Sequence, residues 1–259
     1  MRADQLLVER GLAASRSQAQ RLIAAGVRWR ASAAAAWRQV AKNGDELPPG
    51  AEVELLDSAE TRYVSRGGLK LEGALAATGI AVAGWRCLDV GQSTGGFTDC
   101  LLQRGAAAVV GVDVGHGQLH QRLRRDPRVL ALEGINARGL RTDDLLHAAV
   151  PRGAAFRPPF DLVTGDLSFI SLTLVLPALV PLLGAAAPLL LLVKPQFELQ
   201  PAQLGKGGIV RDRALHAEVE RKLRAACAAA GLTVHGWIGS PIEGGDGNRE
   251  FFIHATRAP

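Results

Sequence analysis

Residues 85–97 read WRCLDVGQSTGGF, a short apolar run that breaks into a turn holding three glycines, Gly91, Gly95 and Gly96. The run 86–90 has the length and side chains of a buried strand, and residues 98–104 continue as a helix. Strand, glycine turn, helix opens a parallel βαβ unit, in which glycine lets the backbone close on a ligand at the strand's carboxyl end. Working outward, apolar runs recur at 108–112, 128–132, 160–164 and 189–193, with a helical stretch at 212–230 and strand patterns at 232–237 and 250–255. That order predicts an α/β, doubly wound, mostly parallel seven-stranded sheet of the Rossmann-like kind.

The turn also discriminates between ligands. A dinucleotide site needs G-x-G-x-x-G to seat a pyrophosphate on a helix N-terminus. DVGQSTGGF lacks the middle glycine, and Asp89 just before the turn would suit a cationic ligand. S-adenosylmethionine carries a sulfonium, an amino group and a ribose but no phosphate, and it fits this pattern better than NAD. The expected contacts are Asp89, Gly91, Ser93, Thr94, Gly95, Gly96 and Phe97, with Asp113 at the end of the second strand for the ribose hydroxyls. Glu133 and Asn136, after the third strand, are the candidates for the adenine end.

The chain has 259 residues, 47% hydrophobic and 21% charged, which is globular composition with room for a large and a small domain. Cys87, Cys100 and Cys227 show no metal-ligand spacing and no disulfide framework, so we expect no metal and a cytoplasmic protein; a monomer is the separate expectation for its assembly. Residues 172–193 carry no charge over 22 positions, but Pro177, Pro181, Gly184 and Pro188 interrupt them. A helix over 172–183 followed by a buried strand at 189–193 is expected there, not a membrane span.

The net charge of +5 is unevenly spread. Residues 1–42 hold eight Arg or Lys and two acids, whereas 43–60 hold six acids and no base. The basic segment reads helix, turn, helix: a first helix stopping at Gly11, then Ser15 with Gln18 three residues on as a helix-opening pair, and Gly26 as a stop. Residues 51–55, AEVEL, alternate as a strand. RADQLLVERGLAASRSQAQRLIAAGVR together with PPGAEVELL resembles the S4 RNA-binding domain. That resemblance implies an α+β module at 1–60, a linker at 61–66 and the main domain at 67–259, with RNA contacts from Arg16, Gln20, Arg21, Arg28 and Arg66.

Two polar residues cap buried strands at the ligand edge: Asp166 before LSF, and Lys194 after five apolar residues. Ends of neighbouring strands would bring them together, either as a functional pair or as a plain ion pair. Lys70 in SRGGLKL and Glu250 in GNREFF are less determined by position alone. SRGGLKL, DVGQSTGGFTDCLLQRGA, GDLSFISL, LVKPQFE and GNREFF resemble the TlyA (hemolysin A) family over nearly the whole chain, with Gln92 standing where that family often has alanine. The resemblance implies an S-adenosylmethionine-dependent methyltransferase of the FtsJ-like kind, acting on ribose 2′-hydroxyls of ribosomal RNA, cytidines in the small and large subunits. It places the family's Lys-Asp-Lys-Glu tetrad on Lys70, Asp166, Lys194 and Glu250, with Asp166 also beside the cofactor.

In that reading Lys194 deprotonates or polarises the hydroxyl, Asp166 orients it, and Lys70 with Glu250 holds the nucleotide. The segment after the fourth strand reads GDLSF, not the Asn/Asp-Pro-Pro-Tyr/Phe of amino-group methyltransferases, which favours ribose over base. Two other readings remain: a non-catalytic RNA- or ribosome-binding protein, and a membrane-active hemolysin.

Overall fold

The computed structural model describes residues 1–13, 15–56 and 62–258. It divides into two units, Met1–Arg66 and Gly67–Pro259. Residues 57–61, which include the end of the acidic segment and the first residue of the expected linker, lie outside the described residues.

The first unit holds α1 (Ala3–Glu9), α2 (Arg16–Gly26) and a three-stranded antiparallel sheet of β1 (Val27–Arg30), β2 (Arg38–Gln39) and β3 (Glu52–Leu55), ordered β2-β1-β3. Ser15 Oγ accepts from the Gln18 amide at 3.3 Å and caps α2. Leu6, Leu7, Ala19, Leu22, Ile23 and Val27 form the core. One charge is buried with them. Asp4 is fully covered and is paired with Arg2 and Arg16, each at 3.0 Å. The Arg2 hydrogen bond, ahead of Arg16, holds this carboxyl well below the usual carboxylate range.

The second unit begins with α3 (Gly67–Thr78) and alternates β4 (Arg86–Val90), α4 (Gly96–Gln103), β5 (Ala108–Asp113), α5 (Gln121–Arg124), β6 (Val129–Glu133), α6 (Thr142–Ala149), β7 (Leu162–Gly165), α7 (Leu176–Leu179), β8 (Pro188–Val193), α8 (Arg213–Ala229), β9 (Leu232–Gly239) and β10 (Phe251–Arg257). The sheet order is β6-β5-β4-β7-β8-β10-β9. Strands β6 through β8 pair in parallel, and β10 runs antiparallel to both β8 and β9. Because β10 runs backwards, its amino end meets the carboxyl ends of the parallel strands.

The helix expected over 172–183 is instead three pieces, a 3₁₀ turn Leu172–Leu174, α7, and a second 3₁₀ turn Val180–Leu182. Pro177 and Pro181 lack the amide that a continuous helix requires. Leu172, Leu176, Leu179, Leu182 and the whole of β8 are core, and no helix among the described residues is long and apolar enough to cross a membrane.

Candidate active site

The chemistry-bearing residues collect at the carboxyl edge of the sheet, and glycines allow the strand ends to close up. A Cβ on Gly91, whose φ is +82°, would lie 2.6 Å from the Asp166 carbonyl oxygen, and one on Gly165 would lie 2.7 Å from that of Val90. The ends of β4 and β7 therefore touch through bare backbone, and the Asp166 amide donates to Val90 O at 3.0 Å.

Two ion pairs sit at this rim. Lys194 Nζ lies 2.6 Å from Asp166 Oδ1 and donates to Ser168 Oγ at 2.8 Å. Lys70, on α3, lies 2.6 Å from Glu250 Oε2, and both are buried. The β8–β10 register, with Phe251 opposite Val193, puts Glu250 beside Lys194. The pairs feel each other: burial raises the Glu250 carboxyl above its ordinary range, Lys70 opposes this, Asp166 adds to it and Lys194 opposes it. All four residues anticipated from the motifs thus belong to one cluster.

Beside them is a cavity of about 520 Å³ lined by Gly91, Ser93, Asp113, Asn136, Asp166 and Ser168, with Val112, Val114, Ile135, Ala137, Leu167 and Ile170 as apolar walls. Asp113 takes the amides of Ser93 and Gly115, both at 2.7 Å. Each oxygen keeps a lone pair for a further donor.

Other anticipated loop contacts are placed elsewhere. Phe97 is buried and stacks on Phe252 at 6.0 Å, so its ring is core. Gly95 and Gly96 are buried, and a Cβ on Gly95 would strike Leu119 and Leu123, so its smallness serves packing. Thr94 is exposed and accepts the His120 amide at 3.2 Å. Glu133 pairs with Arg124 and takes the Gly117 amide at 3.0 Å, leaving Asn136 as the candidate that lines the cavity. Asp89 lies fully buried behind the turn, where Thr98 Oγ1 donates to it at 2.7 Å and Gln92 Nε2 donates to Thr98 at 2.9 Å. Burial pushes the Asp89 carboxyl up to about 7, with the Thr98 hydrogen bond opposing. Gln92 occupies the space over Gly111, where an added Cβ would lie 2.0 Å from its amide.

Sequence reasoning missed three contributors. Phe169 stands 91% exposed at the cavity mouth with φ +63°, a costly placement for a bulky residue, and its ring meets that of Phe197 at 5.0 Å. Ser168 braces Lys194. Glu198, from the KPQFE run, is buried and accepts from Ser171 Oγ at 2.5 Å and the Leu172 amide at 2.7 Å. It ties the loop after β7 to the turn after Lys194. Of the anticipated RNA contacts, Gln20 is exposed, Arg21 and Arg66 are half-buried, Arg16 is engaged with Asp4, and Arg28 lies 2.7 Å from Glu54.

The FtsJ-like methyltransferase profile matches residues 63–257. The chain belongs to the FtsJ-like methyltransferase family. This FtsJ-like methyltransferase is 46% identical over 252 residues to the 16S/23S rRNA (cytidine-2′-O)-methyltransferase TlyA of Mycobacterium tuberculosis, covering 97% of this chain and 88% of that one. It is 36% identical over 259 residues to hemolysin A of Brachyspira hyodysenteriae, covering 98% of this chain and 99% of that one. A solved hemolysin homologue from Streptococcus thermophilus matches with a TM-score of 0.74 at 39% identity, over 100% of this chain and 88% of that one. Within the family the chain therefore sits with the TlyA (hemolysin A) group.

Proposed function

We propose that this methyltransferase modifies ribose 2′-hydroxyls of ribosomal RNA, cytidines being the target nucleosides, with S-adenosylmethionine as donor and Lys70, Asp166, Lys194 and Glu250 as the catalytic group. The observation that carries this reading is the meeting of the Lys194–Asp166 and Lys70–Glu250 pairs at one rim, beside the cavity that follows the glycine turn.

The cavity suits the donor. Its volume is that of a small-molecule site. Asp113 has acceptor capacity for ribose hydroxyls, Asn136 and the Ile135, Ala137 and Leu167 side chains suit a purine, and Gly91 leaves the backbone open to close approach. The donor supplies a methyl group already activated on a sulfonium.

The chain's own residues supply alignment and proton handling. Lys194 Nζ, fixed between Asp166 Oδ1 and Ser168 Oγ, faces the 2′-hydroxyl and takes up its proton, while Asp166 orients the amine. Lys70 and Glu250 keep the adjacent wall charged and positioned. The exposed Phe169 ring offers a stacking face for a nucleobase turned out of its helix.

The first unit serves as an S4-like RNA dock. Gln20, Lys42 and Asn43 line a cleft of about 670 Å³ beside α2, which supports this role. Arg16 and Arg28 contribute first to the unit's own ion pairs.

The test is methyl transfer from labelled S-adenosylmethionine to unmodified rRNA transcripts and isolated subunits, with 2′-O-methyl marks mapped by alkaline resistance. A mark on a cytidine ribose is the expected outcome. A labelled base, or no transfer by a chain that binds the donor, would overturn the reading.

A further inference from the structure

A second concentration of positive charge lies on the strap between β8 and α8. Lys206, Arg211 and Arg213 are exposed there and make no ion pair among the described residues. Elsewhere arginines are commonly answered by carboxylates, as Arg122 is by Asp99 and Arg128 by Asp126. The acid among the strap's cations, Asp212, is turned to the start of α8, where it accepts the Ala214 amide at 2.8 Å. The strap bends through Gly207 and Gly208 at φ +74° and +76°, and a Cβ on either would meet nothing within 4 Å. Packing does not require these glycines, and they leave the backbone bare beside Lys206. Lys206 and Arg211 flank a cavity of about 480 Å³.

The strap is geared to the catalytic rim. Asn248 is fully buried. Its Nδ2 donates to Gly208 O at 3.1 Å and its Oδ1 accepts the Val210 amide at 2.8 Å. Glu250 follows two residues later. Asp246 accepts from Asn248 Nδ2 and from Gln196 Nε2, both at 2.9 Å, and Gln196 stands two residues past Lys194. Asn248 therefore ties the strap to the loop before Glu250, and the exposed Asp246 ties that loop in turn to Gln196 beyond Lys194.

We infer that this strap is a clamp for RNA backbone phosphates, with Lys206 and Arg211 holding the strand next to the nucleotide whose ribose meets Lys194. The inference rests on the reading that the substrate is RNA. Phosphate contacts set the register of a nucleic acid without reading its sequence, and an in-line displacement depends on that register. Two unanswered cations on a glycine-bared strap, tied by Asn248 to the strand that bears Glu250, provide such a contact.

The experiment measures equilibrium binding of the full chain to an unmodified rRNA transcript by fluorescence anisotropy over a range of salt concentrations, with donor affinity by calorimetry and turnover in parallel. Lys206→Ala/Arg211→Ala is expected to weaken RNA binding about tenfold and to lower the log–log salt slope by about 1.4 to 1.8, or ~0.7–0.9 per phosphate. Donor affinity should stay unchanged, and the charge-conserving Lys206→Arg/Arg211→Lys should restore RNA affinity. An unchanged affinity and slope would overturn the clamp. So would an equal loss in Arg125→Ala/Arg157→Ala, which removes the same charge from exposed positions off the strap. Binding is read independently of turnover, so a parent enzyme that binds RNA but transfers no methyl would count against the proposed function and leave the clamp to be judged on these slopes.

Discussion

Lys194 Nζ lies 2.6 Å from Asp166 Oδ1 and 2.8 Å from Ser168 Oγ, so the single loop after β7 grips it from two sides. Lys194→Ala is expected to lower methyl transfer by ~10²–10⁴-fold, the usual range for a group that handles the proton. Calorimetric affinity for S-adenosylmethionine should hold. Near-normal turnover would remove Lys194 from the chemistry.

Lys70 and Glu250 are a buried pair, and removing one member strands the other. Lys70→Ala is expected to cost ~3–5 kcal/mol in urea denaturation, because it leaves a buried carboxylate without its partner. Lys70→Met combined with Glu250→Gln should recover most of that stability while turnover stays lost. If the double variant were as active as the parent, the pair would be structural only.

Asp89 makes stability depend on pH. Its carboxyl, raised by burial to about 7, keeps its proton in the folded chain over a range where the unfolded chain, at an ordinary ~3.9, has lost it. Stability therefore falls as pH rises from about 4 to about 7 and is level above. Asp89→Asn should gain on the parent progressively over that interval, and parallel stability curves for the two would contradict this.

Gln92 and Gly111 form a matched pair. Gly111→Ala forces a Cβ to 2.0 Å from the Gln92 amide and should cost ~1–3 kcal/mol or more. Adding Gln92→Ala should recover much of it, giving a favourable coupling of about 1–3 kcal/mol in a thermal-melt double-mutant cycle. Simple additivity would show that Gln92 moves aside freely.

The strands' positions along the chain were legible because buried parallel strands write themselves as mostly apolar runs, and residues 86–90 match β4 to the residue. Helix α3 was not read, since its GGLKLEGALAAT opens on two glycines and shows no clear polar face. The broken helix at 172–182 was read as continuous because hydrophobic spacing does not register a missing amide. At the site, residues that end strands were readable from position. Phe97 was not, because a glycine turn does not say whether the next ring faces ligand or core. Phe169 and Glu198 were missed for the opposite reason. Their roles depend on a left-handed backbone and on bonds to Ser171 and Leu172 that spacing cannot reveal.

Strand β10 is threaded between β8 and β9 and delivers Glu250 at its leading end. A refolding chain can therefore close the β4–β7 edge, with Gly91 and Asp113 in place, before the last strand slots in. Recovery of donor binding should run ahead of recovery of turnover, and the lag between them would time the insertion of a single strand.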